Sequence, residues 1–371
     1  MKRPRILIIE NSIHVTGALK SITRSSYDLK EYFDFVFVLP RHSAGRQLVE
    51  SRGFSVIYEL PMLELNRTLF ALLFYIPILL ANTFRLKRII RQENIQMLHV
   101  NDLYNLLPVV LKITGLRLPY ICHIRFLPDK FPKKLFSFWL VAHLRYAQHV
   151  ICVSNFLKDK LPYHAKIVVI NNELPMEEKY PYPADRSTTL LYLSNIIKGK
   201  GHEFAIKAFS QIASSFPTWK LRFVGGDMGL SKNKELKREL MELCQWMGIS
   251  QQVEWIDFTI DTEAEYKNAA IALNFSESES FSITCVEAQF YGCPLIATNS
   301  GGPAEIIIDG QTGFLIPIGN INSMVSSMQT LINDSLLRLK FAERGREVVR
   351  DRFSIANTSY RLKRIYSDTL T

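Results

Sequence analysis

Short, predominantly apolar runs recur through the first 170 residues, at 5–9, 35–39, 54–58, 95–100, 120–124, 150–153 and 166–170, separated by stretches of helical length. Runs that are predominantly apolar, and not alternating, predict strands buried on both faces, and so a parallel sheet covered by helices. Residues 173–185, Glu-Leu-Pro-Met-Glu-Glu-Lys-Tyr-Pro-Tyr-Pro-Ala-Asp, interrupt the pattern with proline and charge and predict a linker. A second series follows at 189–193, 221–224, 253–256, 270–274 and 294–298, with helical patterns at 203–212 and 232–246. No short-period repeat or low-complexity tract is present.

The expected fold class is α/β, with two Rossmann-like, doubly wound parallel-sheet domains facing a cleft. A chain of 371 residues accommodates two domains of ordinary size. Their expected extents are 1–175 and 188–352, joined by a linker at 176–187 and followed by a last segment at 353–371. In sheets of this type ligands bind outside the carboxyl ends of the strands.

Charge adds a second expectation. Of the 45 Lys and Arg, 25 fall in residues 1–180, against 14 of the 35 Asp and Glu, which gives +11 there and −1 in the remainder. A one-sided basic excess suits a polyanionic partner, nucleic acid or an anionic lipid leaflet, or is simply a solvated face. No basic-aromatic module supports nucleic acid. Residues 69–81 are apolar and lead into Arg85-Leu-Lys-Arg-Ile-Ile-Arg91. Thirteen residues containing Pro77 are short for a membrane span, which leaves a core helix or an interfacial helix with its basic end toward headgroups. The basic, briefly apolar start lacks the long apolar region of a signal peptide. Five cysteines with no metal spacing read as reduced thiols of a cytoplasmic protein.

The candidate chemistry lies at the expected strand ends. After 189–193 comes Ser194-Asn-Ile-Ile-Lys-Gly-Lys-Gly201, a basic glycine-containing loop opening a helix. It suits a phosphate, with Lys198 or Lys200 adding charge, or is an ordinary turn. Gly225 and Gly226 follow the next strand and permit either close approach to a ligand or a tight turn. Glu279 falls just beyond 270–275, in an acidic loop leading to a helix expected at 284–292, whose first N–H groups would face a diphosphate. Glu287 lies eight positions later, placed for a ribose hydroxyl pair or merely for the helix dipole. Gly301-Gly-Pro303 would open a further set of donors. His123 ends a strand with Arg125 on the same face, and reads equally as a core histidine or a site residue.

The succession of strand, Lys-Gly loop, Gly-Gly, Glu279-Ser-Phe-Ser-Ile-Thr-Cys-Val-Glu287, Gly292-Cys-Pro, Gly301-Gly-Pro-Ala-Glu305 and Asp309-Gly-Gln-Thr-Gly-Phe-Leu resembles the retaining glycosyltransferases of the GT4 family (group 1), which have the GT-B fold. The resemblance spans nearly the whole chain and is strongest over 189–318. Gly17 resembles the family's amino-terminal glycine loop, Cys122-His-Ile-Arg125 its strand ending in a histidine near the donor sugar, and 353–366 its last helices, the final one crossing back to the first domain. It implies a nucleoside-diphosphate-sugar donor, with Glu287 on the ribose, Glu279 at the transferred sugar and Lys200 on the leaving diphosphate. Catalytic roles fall to Glu279, Lys200 and His123, and donor binding to Glu287, Asn195, Lys198, Gly225, Phe281, Ser282 and Ile283. Gly17 and Arg125 lie on the acceptor side.

No cofactor or metal is implied. The expected partners are the donor, a lipid-linked or other saccharide acceptor of cell-surface polysaccharide or glycolipid synthesis, and an anionic membrane surface, with the enzyme peripheral on the cytoplasmic face. Two departures stand out. Asn195 occupies the place of an arginine, which Lys198 or Arg125 would have to replace, and Ser280 and Ser282 replace both glycines of Glu-Gly-Phe-Gly. They leave open an alternative, a catalytically weakened nucleotide-sugar-binding or scaffold subunit.

Overall fold

The computed structural model describes residues 3–62, 69–172, 187–259 and 261–370. The chain divides into two compact units, Met1–Pro175 with Ile355–Thr371, and Met176–Ser354. The second unit thus ends two residues beyond the expected 352. The expected linker, apart from its last residue, lies outside the described residues.

Unit 1 is a seven-stranded sheet of β1 (Arg5–Ile9), β2 (Asp34–Pro40), β3 (Ile57–Leu60), β4 (Met97–Val100), β5 (Tyr120–Ile124), β6 (His149–Cys152) and β7 (Ile167–Val169), in the order β3-β2-β1-β4-β5-β6-β7. Every neighbouring pair is parallel. Unit 2 is a six-stranded sheet of β8 (Ser187–Leu193), β9 (Lys220–Val224), β10 (Val253–Ile256), β11 (Ala269–Asn274), β12 (Leu295–Thr298) and β13 (Gly313–Ile316), ordered β10-β9-β8-β11-β12-β13 and again all parallel. Both are Rossmann-like, as the predominantly apolar runs predict.

Two strands differ from expectation. The run at 54–58 forms a strand only from Ile57, which pairs with Phe37. Gly53 turns the chain at φ +84°, and Phe54 then plugs the core against Phe35 and Phe37, its ring centroid 6.1 and 5.0 Å from theirs. Burial alone made it look like strand. Strand β13 was hidden in a turn-rich motif. It docks on β12 with Gly313 opposite Leu295, where a Cβ would stand 2.4 Å from the Leu295 carbonyl oxygen.

The last helix, Ile355–Leu370, packs into unit 1. Leu362 and Tyr366 are buried in the same cluster as Phe33, Phe35 and Phe37, and the Tyr366 ring meets Phe33 edge-on at 5.4 Å. All five cysteines are free and buried.

Each unit also buries a neutral histidine. His143 in unit 1 and His202 in unit 2 are almost wholly inaccessible, and burial pushes both from the ordinary 6.5 down to about 4. His202 lies beside the rings of Tyr192 and Phe223, at 5.0 and 5.5 Å. An unfolded chain takes up these protons below about pH 6.5, whereas the folded one resists until about pH 4. Stability is therefore full above pH 6.5 and is lost as the pH falls toward 4, by about 3 kcal/mol per histidine at most. Denaturant titrations at a series of pH values should show this fall. In His202→Phe, which keeps a ring between Tyr192 and Phe223, the unit 2 transition should depend less on pH. An equal dependence in both proteins would refute this account of His202.

Candidate active site

Strands β8 and β11 are neighbours, and between them the strand order of the second sheet reverses. Chains leaving two such strands turn toward opposite faces and open a crevice, the usual ligand position in open parallel sheets. The loop after β8 carries Lys200 and the loop after β11 carries Glu279. Lys200 Nζ donates to Glu279 Oε1 across 2.7 Å. With side chains 31 % and 13 % exposed, the pair is partly desolvated yet within reach of a ligand.

The two loops are held mainly by main-chain contacts. The buried Tyr192 hydroxyl on β8 accepts from Phe275 N at 2.7 Å and donates to the Lys200 carbonyl. Burial raises its pKa far above the ordinary value, so it remains a donor. Glu277 N donates to Gly199 O at 3.0 Å. Gly201, at φ +75°, has no room for a side chain, because a Cβ would lie 2.1 Å from Phe275 O. On the other flank, Glu279 N donates to Ser300 O and Gly302 N to Glu279 O, both at 2.9 Å. The Gly302 N–H, expected among donors for a ligand, is thus engaged by Glu279.

Ser282 precedes the helix Ile283–Phe290, one residue earlier than expected, in a left-handed conformation with φ +83°. That backbone is one glycine adopts freely and other residues at a cost of about 1–2 kcal/mol. The hydroxyl offsets it by accepting from Asn274 Nδ2 at 3.0 Å, donating to Cys285 Sγ at 3.1 Å and meeting Thr284 Oγ1 at 3.2 Å. Serine therefore keeps the glycine geometry and ties it to the end of β11. Phe281 is buried against Phe353, and Ile283 supplies the first helical N–H. The unsatisfied N–H groups of this first turn give the loop its anion preference.

Glu287 stands in the helix's second turn and is half-buried, beside Tyr266. Burial and then the Glu287 carboxylate raise the Tyr266 hydroxyl well above its ordinary pKa, and that hydroxyl donates to Thr284 O at 3.0 Å. Lys198 is exposed and Asn195 half-buried. The loop at 194–196 continues the sheet, with Ser194 N and Ile196 N donating to Val224 O and Gly226 O, each at 3.0 Å. The backbone that comes close to Gly225 (φ +150°) is that of Ser194, whose carbonyl oxygen a Cβ would meet at 2.1 Å.

In unit 1 the reversal of strand order lies between β1 and β4. The fully buried Glu10 after β1 accepts from Asn11 N and Ser12 N at 2.9 Å, from Ser12 Oγ at 2.7 Å and from Asn101 Nδ2. Arg125 donates to Asn101 Oδ1 from Nε at 3.0 Å and Nη2 at 2.6 Å, and from Nη1 to Asn172 Oδ1. These bonds tie its guanidinium to Asn101 and Asn172 of unit 1. His123 on β5 is buried beside it. Gly17 opens the helix Gly17–Asp28, which Thr16 caps by accepting from Leu19 N at 3.2 Å.

Sequence reasoning missed Tyr192, Asn274, Glu10, Asn101 and His99. Except for Ser12 Oγ on Glu10, their partners lie eight or more positions away or are backbone atoms, so no local pattern marks them as a site. Among the described residues, no three His, Cys, Asp or Glu side chains gather closely enough to hold a metal ion.

Comparison with known proteins agrees with this geometry. The model of Glycosyltransferase Family 4 matches residues 39–174, and that of Glycosyl transferases group 1 matches residues 178–348. An uncharacterized glycosyltransferase of Haemophilus influenzae is 26 % identical over 186 residues, which are 50 % of this chain and 51 % of that protein. The capsular polysaccharide biosynthesis glycosyltransferase CapM of Staphylococcus aureus is 29 % identical over 189 residues, 51 % of this chain and 48 % of CapM. The chain thus spans about half the length of these curated relatives. The crystal structure of Anabaena Alr3699/HepE in complex with UDP and glucose superposes with a TM-score of 0.82 at 18 % identity, over 98 % of this chain and 99 % of that one. With family models matching both halves and this architecture, the chain belongs to the GT4-like glycosyltransferases of GT-B fold.

Proposed function

We propose that this glycosyltransferase moves a sugar from a nucleoside-diphosphate donor, with retention and without a metal, to a lipid-linked saccharide in cell-surface polysaccharide or glycolipid synthesis. The observation that carries the donor side is the Lys200–Glu279 pair at the reversal point of the second sheet, next to a helix amino terminus. CapM's role in capsular polysaccharide biosynthesis and the UDP bound to HepE support the substrate classes.

Lys200 and the first-turn N–H groups stabilise the negative charge that grows on the departing diphosphate, the electrostatic share of catalysis. Glu279 holds Lys200 in place and accepts hydrogen bonds from the transferred sugar, while Glu287 accepts from the ribose. With Glu279 tied up by Lys200, we assign the reaction to same-face attack. The acceptor oxygen bonds to the anomeric carbon as the carbon–oxygen bond to diphosphate breaks, and the acceptor proton passes to the departing phosphate oxygen.

Lys200→Ala should lower kcat roughly 100- to 1000-fold, and Glu287→Ala should chiefly raise the donor KM, with circular dichroism unchanged in both. The product should keep the donor's anomeric configuration by NMR. Near-normal turnover in either variant would dismiss this site, and an inverted product would dismiss retention. Donor binding without transfer to any acceptor would favour a binding subunit instead.

For location, the helix Leu69–Gln92 sets Ile76, Leu80, Phe84, Lys87 and Arg91 along one stripe by their three- and four-residue spacing. Ile76, Leu80 and Phe84 are 64 %, 46 % and 73 % exposed, an apolar stripe outside the core, which supports the interfacial reading. Among the described residues no helix is long and apolar enough to cross a membrane. An apolar patch running into cations suits an anionic leaflet, the rings entering the acyl boundary and the cations meeting the headgroups. The protein should co-sediment with phosphatidylglycerol-containing vesicles far better than with phosphatidylcholine vesicles. Leu80→Glu with Phe84→Glu should abolish this while sparing transfer to a soluble acceptor, and vesicle binding unaffected by the pair would sink the proposal.

A further inference from the structure

Between the carboxyl ends of β4 and β5 and the last helix runs a chain of hydrogen bonds that links Tyr366, His99, His123 and Arg125. Tyr366 Oη lies 2.6 Å from His99 Nδ1, and His99 Nε2 lies 2.7 Å from His123 Nδ1. Arg125 Nη2 lies 3.3 Å from that same His123 Nδ1. Hydrogens on imidazole are assigned from such networks, and here the network leaves one assignment. A guanidinium only donates. With an Arg125 N–H pointing at it, His123 Nδ1 must accept, so His99 donates from Nε2. His99 Nδ1 is then bare and accepts from the Tyr366 hydroxyl. Neutral His123 carries its proton on Nε2, for which no described residue serves as acceptor.

Both rings are neutral. Burial, followed by the Arg125 charge, holds each well below its ordinary pKa. The other charged groups nearby are Glu10, which bonds Asn101, and Asp102, whose carboxyl burial and Glu10 push well upward.

We propose that Arg125, His99 and Tyr366 form a one-way relay of positioning residues that fixes the proton on Nε2 of His123, so that this histidine meets substrate oxygens as a hydrogen-bond donor and cannot act as a base. The inference rests on the glycosyltransferase reading for its substrate but not for its proton positions. Tyr366 brings the last helix into the relay, 267 positions from His99. Arg125 gives the relay its direction.

The direct test is a long-range proton–nitrogen NMR correlation on the substrate-free, 15N-histidine-labelled protein at neutral pH. Single-histidine variants serve to assign the signals. His99 and His123 should each show a protonated Nε2 and a bare Nδ1. A proton on Nδ1 of either ring, or a doubly protonated His123, would overturn the relay. In Tyr366→Phe both Nε2 protons should stay, while His99 Nδ1 shifts toward the position of an unbonded ring nitrogen and transfer falls roughly 3- to 10-fold, the weight of one lost hydrogen bond. An unmoved His99 signal would overturn the part given to Tyr366.

His99→Gln can donate to His123 and accept from Tyr366, so it should recover most of the transfer lost in His99→Leu. Equal loss in the two would argue for simple packing and against the relay. The spectrum needs no substrate, so it still decides the relay if no transfer is found or His99→Leu does not fold.

Discussion

The hydroxyl of Tyr192 is a single atom on which both halves of the candidate site depend. It accepts from Phe275 N–H and donates to the Lys200 carbonyl, so the loop after β8 and the loop after β11 are registered to one another before any ligand arrives. Parallel neighbours at the reversal of strand order bring the two loops to the same edge, but leave their spacing open. The tyrosine sets that spacing, and Gly201 lets the backbones close to contact. The Lys200–Glu279 distance follows from these constraints more than from the attraction of two half-screened charges, which is modest by itself.

The two units solve the reversal point differently. Unit 2 leaves a charged pair partly open to solvent. Unit 1 fills the equivalent place with a buried carboxylate that accepts four hydrogen bonds, backed by an asparagine and an arginine. A fully satisfied buried network is rigid, because moving any member strands the others without partners in a low dielectric. One unit thus keeps its charges partly open to solvent and the other locks them inside a hydrogen-bonded network. The same sheet topology supports both, since topology decides where side chains gather and not which ones do.

Much of this was legible in the sequence. Strands covered by helices leave predominantly apolar runs, and twelve of the thirteen strands announced themselves this way, even with Arg222 in β9 and Glu254 in β10. The exception, β13, begins with glycine in a turn-rich motif at the sheet edge, where little apolar length is needed. Phe54 misled for the converse reason, since it is core without being strand. Lys200, Glu279 and Ser282 were visible because loop chemistry is local. Tyr192 was not, because a tyrosine within an apolar strand reads as packing and its amide partner is 83 positions away. The His99–Tyr366 bond was equally silent, for nothing in either neighbourhood refers to the other.

The strap across Glu279 has a consequence for how such a site changes over generations. Its two bonds, from Glu279 N to Ser300 O and from Gly302 N to Glu279 O, use main-chain atoms only. With any residue but proline at 279 the strap can form, whereas a side chain at 302 would collide with the Phe281 carbonyl. Mutation can therefore explore new chemistry at 279 without first dismantling the loop that presents it, and selection acts on scaffold and selectivity at separate positions. On the proposed placement of Glu279 at the transferred sugar, a lineage with this arrangement can change donor while its architecture stands still.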